Sequence, residues 1–62
     1  MNAAQKLDKA MNRVERTGME LLERAELYAA SSTSSDKRWN RIFLLSAARE
    51  YANAIRHLAR TA

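Results

Sequence analysis

The chain has no cysteine, no proline, one glycine and one histidine in 62 residues. Without cysteine there is neither a disulfide framework nor a thiolate metal site. The single histidine, His57, gives no basis for a histidine cluster, so neither a metal nor another cofactor is expected. Without proline, no residue of the chain need interrupt a helix. No apolar run approaches the roughly 20 residues of a membrane span. The N-terminal stretch lacks the apolar core of a signal peptide. These absences point to a cytoplasmic protein with no membrane partner.

The chain is also short. A domain of this size buries too little of its surface for comfortable stability. Small domains add disulfides, a metal or further copies of themselves. With the first two removed, self-association is what remains.

What the sequence does contain is helix-forming. Alanine, leucine, arginine and glutamate dominate, and all favour helix. Ala4, Leu7, Met11, Val14, Gly18, Leu21, Ala25 and Tyr28 recur at alternating steps of three and four, a heptad stripe. Asn2 with Gln5 has the spacing of a capping box. A Ser-rich stretch at 31–35 reads as a loop, because serine and threonine side chains bond nearby backbone. Thr33, Ser34 and Ser35 are all candidate N-caps for a second helix, and Thr33 with Asp36 would make a box-like pair. The second stripe is Leu45, Ala48, Ala52, Ile55, Ala59 and Ala62, flanked at intervals of seven by Leu44, Tyr51 and Leu58.

The expected fold is all-α: a single domain over 1–62 with a helix at about 3–30, a loop at about 31–35 and a helix at about 36–61. Matched helices and a short connection imply an antiparallel hairpin. A hairpin alone leaves Leu22, Leu44, Tyr51 and Leu58 partly wet, so assembly into a homo-oligomeric helical bundle is expected. Its interface would draw on Leu7, Met11, Val14, Gly18, Leu21, Leu22 and Ala25, and on Leu44, Leu45, Ala48, Tyr51, Ala52, Ile55 and Leu58.

No nucleophile, base and acid come together in the pattern, so no catalytic residues are assigned and the chain is read as a non-enzyme. Glu15, Glu20, Glu23 and Glu26 read as a solvated face interspersed with arginines. The charge distribution says more. The first helix balances five bases against five acids, whereas the second carries Lys37, Arg38, Arg41, Arg49, Arg56 and Arg60 against Asp36 and Glu50. The whole net charge of +4 therefore lies in the second half. Lys37 with Arg41, and Arg56 with Arg60, are like-charge i,i+4 pairs that disfavour the helix and that an anionic partner would relieve.

The start of the second helix suits such an anion, since its free N–H groups and dipole attract negative charge. Ser34, Ser35, Lys37, Arg38 and Arg41 would hold phosphates there. Trp39 or Tyr28 would stack on a base. Trp39 and Phe43 would equally serve a subunit contact.

Two resemblances bear on these residues. In size and hairpin form the chain resembles the plasmid RNA-binding repressor-of-primer hairpins. Gly18-Met19-Glu20-Leu21-Leu22, the Ser-rich turn and Ala48-Arg49-Glu50-Tyr51-Ala52-Asn53-Ala54-Ile55 resemble the hairpin domain of phage nucleotide sponges. Those proteins sequester cyclic-nucleotide signals of the CBASS and Thoeris anti-phage defences. Tyr51 stands where that family typically has tryptophan. This resemblance spans roughly residues 14–58 and implies a homo-oligomer that binds a cyclic oligonucleotide between subunits without cleaving it. A dimeric regulator binding RNA or DNA, and a small phage inhibitor of a host protein, are the other expectations.

Overall fold

A computed structural model describes residues 2–62. The chain forms two helices, α1 (Ala3–Ala30) and α2 (Ser34–Thr61), and no strand among the described residues. At α1's start, the Gln5 N–H donates to Asn2 Oδ1 at 2.8 Å, and the Asn2 N–H donates to Gln5 Oε1 at 3.1 Å. Thr33 is the N-cap of α2, its hydroxyl oxygen accepting from the Asp36 N–H at 3.1 Å. The loop is accordingly shorter than the serine content suggests. Ser34 and Ser35 lie in the first turn of α2, which starts two residues before the expected position 36.

The helices run antiparallel as a rod of 48 × 14 × 13 Å. Contacts fix the register: Tyr51 lies against Gly18, Glu50 beside Arg13, Phe43 under Arg24, and Asn40 against Leu27. The residues withdrawn from solvent recur at three-four spacing. The main row on α1 is Leu7, Ala10, Val14, Thr17, Leu21, Arg24 and Tyr28, and on α2 Asn40, Leu44, Ala47, Tyr51, Ala54, Leu58 and Thr61; Arg13, Gly18, Ala25, Ala48 and Ala52 beside it are also half-buried.

This seam corrects the second stripe. Leu45 and Ile55 do not face α1; they are 48% and 42% exposed. Leu44, Tyr51 and Leu58, expected on a wet flank, are half-buried against α1. One helical position is a turn of about 100°, and the packed face of α2 is displaced from the expected stripe by that step. On α1 the same step replaces Met11 with Ala10 and puts Thr17 beside Gly18. Met11 is left 46% exposed.

The preference for that rotation has a steric cause. The buried residues are Ala10, Thr17, Ala47 and Ala54, and no large side chain is fully buried among the described residues. Small side chains let the two backbones approach closely, and ridges of one helix then fit grooves of the other. The Thr17 hydroxyl is satisfied within its own helix, donating to the Arg13 carbonyl at 2.8 Å. At Gly18 the Tyr51 ring takes the place of a side chain: a Cβ there would stand 3.0 Å from Tyr51 Cε1. Contact with that ring is the compensation for a mid-helix glycine.

Overpacking at the seam centre should therefore be costly. Ala54 is fully buried, and Ala54→Leu is expected to lower stability by about 1–3 kcal/mol, measured by urea denaturation followed by circular dichroism.

Candidate functional site

Each helix has two flanks beside the seam, and they differ in chemistry. One flank carries Arg13, Glu20 and Leu27 from α1 and Phe43, Glu50 and His57 from α2, each set at heptad spacing. Two contacts show that these positions share a side of the hairpin. Arg13 and Glu50 approach to 3.9 Å, and the Arg24 guanidinium lies 5.0 Å from the Phe43 ring centroid. The ion pair is solvent-exposed and contributes at most about 1 kcal/mol. The cation–π contact accounts for Phe43 without a ligand.

The opposite flank follows the seam by one residue on both helices. It carries Met11, Gly18 and Ala25 from α1, and Arg41, Ala48 and Ile55 from α2. At its outer edges stand Leu22, which is 61% exposed, and Leu45. The two stripes read from the sequence thus lie largely side by side on one apolar strip, of which Met11, Leu45 and Ile55 are open while Gly18, Ala25, Ala48 and Ala52 are half-buried next to the seam. Leu7, Val14, Leu21 and Tyr28 of those stripes belong to the seam itself.

The strip ends at the loop in a basic depression of ≈ 290 Å³ lined by Tyr28, Ser34, Lys37, Arg38 and Arg41. Five of the seven residues singled out for ligand binding therefore come together, from both helices. No carboxylate lines the depression; Asp36 belongs by heptad spacing to the row of Phe43, Glu50 and His57 on the other flank. Ser35 and Trp39 are not in it. They line an adjoining depression of ≈ 650 Å³ with Ser34, Arg38 and Ile42, on the outer surface of α2. Ser34 and Arg38 belong to both, so Trp39 is one helical face away from Tyr28. The exposed Ile42 was not singled out from the sequence; its place three residues after Trp39 was the available signal.

The loop is held by a side chain to which the sequence pattern gives no prominence. Asn40 donates through Nδ2 to Ser31 Oγ at 2.7 Å and to the Leu27 carbonyl at 3.4 Å, while Ser31 Oγ donates to the same carbonyl at 2.9 Å. The end of α1 is thereby tied to the second turn of α2, which sets Tyr28 against Lys37 and Arg41. Glu15, Glu20, Glu23, Glu26 and His57 are exposed. Among the described residues no group of three or more His, Cys, Asp or Glu could hold a metal ion, and no helix is long and apolar enough to cross a membrane.

Asn40→Ala is expected to cost about 1 kcal/mol, the worth of a typical hydrogen bond. Hydrogen exchange should accelerate at 31–33 more than at the seam. Comparison with protein-family models, with curated proteins and with solved structures gives no match for this chain.

Proposed function

We propose that the chain is a non-enzymatic binding protein that self-associates through its apolar strip and captures a phosphate-bearing ligand at the loop end. The ligand class is a cyclic oligonucleotide, as the sponge resemblance implies. The observation that carries this reading is the depression lined by Tyr28, Ser34, Lys37, Arg38 and Arg41. Three cations and a hydroxyl offer donors for phosphate. Tyr28 offers a ring for a base. Capture without turnover asks only for such donors and a stable scaffold.

Self-association is supported by what the hairpin leaves uncovered. Met11, Leu22, Leu45 and Ile55 are each more than two-fifths exposed, and a contiguous apolar strip marks an interaction surface. A polar replacement on the strip, Leu45→Glu, is expected to shift the sedimentation mass toward the monomer while the helical content of the chain persists.

The ligand reading is tested by thermal melting against cyclic di- and trinucleotides, with inorganic phosphate and linear RNA as comparators. A bound ligand at about 100 times its Kd stabilises by ~2.7 kcal/mol, which is more than about 10 °C for a chain of this size. Lys37→Ala with Arg41→Ala should abolish the shift. No shift with any cyclic nucleotide sinks the reading.

A second reading, a nucleic-acid-binding regulator, is favoured by one observation. Arg38, Arg49 and Arg56 fall along the exposed outer edge of α2. It requires RNA or DNA binding that weakens steeply with salt, and binding insensitive to salt would exclude it.

A further inference from the structure

We infer that a second copy of the chain covers the apolar strip with its loop at the same end of the bundle, so that two basic depressions are gathered at that end. The inference rests on the self-association proposed above and adds the orientation, which that reading leaves open.

The open area is of the size that a partner copy would cover. The hairpin exposes 4952 Å². A compact monomer of 7.1 kDa would expose about 4,100 Å² by the area–mass scaling of folded proteins. The excess of roughly 850 Å² is close to the ~800 Å² that each partner contributes to a standard interface. A copy of the same strip supplies a matching apolar surface of equal length.

Two symmetric arrangements can place one strip on another. A two-fold axis across the helices puts the loops at opposite ends and lays each helix on its own counterpart, α1 on α1 and α2 on α2. A two-fold axis along the helices puts the loops at one end and lays α2 on the partner's α1.

Charge decides between them. The net charge of +4 resides on α2, and α1 is neutral. Laying α2 on α2 brings two basic helices together. The edges make the same point at single residues. The outer edge of α1 beside the strip carries Asp8 and Glu15, each one residue after a seam residue; on α2 Arg49 and Arg56 lie one position further round, each two residues after a seam residue, with side chains long enough to reach back to that edge, and all four are exposed. With loops at opposite ends, the acidic edges meet each other and the basic edges meet each other. With loops together, the acidic edge of each copy meets the basic edge of its partner. The hairpin register of Gly18 against Tyr51 then sets the level of Glu15 between those of the partner's two arginines. Opposite charges across an interface fix orientation in this way, and like charges suppress the alternative.

The arrangement has a consequence for binding. The Lys37 and Arg41 clusters of two copies sit at one end, where one polyanion can span both.

Spin labels at Ser32→Cys, an exposed loop position in a chain without native cysteine, read the orientation directly. Loops at one end give a label separation of roughly 10–25 Å, the spacing of packed helices plus the label arms. A separation near the hairpin length of 48 Å overturns the orientation and leaves self-association standing. A monomer at the labelling concentration overturns both, and neither result depends on the ligand panel. Charge exchange checks the cause. Glu15→Arg or Arg49→Glu alone should weaken association several-fold at low salt, and the two together should restore it. Absence of restoration removes charge as the reason for the orientation.

Discussion

The close approach of two helices through small side chains is the constraint on which the rest of this structure depends. Ala10, Thr17, Ala47 and Ala54 occupy the line of closest contact. A seam this narrow has no room for leucine or methionine at its centre. Larger residues are displaced to its margins, where Leu7, Val14, Leu21, Leu44, Tyr51 and Leu58 cover the gap from either side. Others are displaced further, onto the open strip. The hairpin therefore closes at the expense of burying little. It leaves outside the apolar area that a larger domain would use for its core.

The same constraint orders the charges. Once the seam fixes the rotation of each helix, every heptad position acquires a definite flank. Arg13, Glu50, Arg24 and Phe43 fall on one side and satisfy one another. Lys37, Arg38 and Arg41 fall on the other, or on the edge beside it, without an acid in the depression that they line. That is why the apolar strip and the basic depression are continuous on one face. Asn40 makes the continuity durable, because its bonds to Leu27 and Ser31 hold the end of α1 at the start of α2.

Much of this is legible in the sequence, and the departures are instructive. Both helices and the Asn2–Gln5 cap follow from composition and spacing. Five of the seven residues chosen for binding surround one depression, because i, i+3 and i+4 positions on α2 are neighbours by helical geometry. The packed face of α2 lies one position away from the expected stripe. Hydrophobicity ranks leucine and isoleucine above alanine, so the stripe through Leu45 and Ile55 has the pattern of an inner face. Backbone approach reverses that ranking, since Ala47 and Ala54 fit where larger side chains do not. The loop is shorter than expected because serine favours both turns and first helical turns, and the choice of Thr33 as cap depends on where the α2 backbone begins.

The sequence by itself determined that this protein is two long amphipathic helices with its net positive charge on the second, because residue type and period act locally. Only the tertiary structure decided which of two neighbouring stripes is buried and which is left open. That choice is made by the fit between two backbones. It depends on the smallest residues of both helices together and cannot be read from either helix alone.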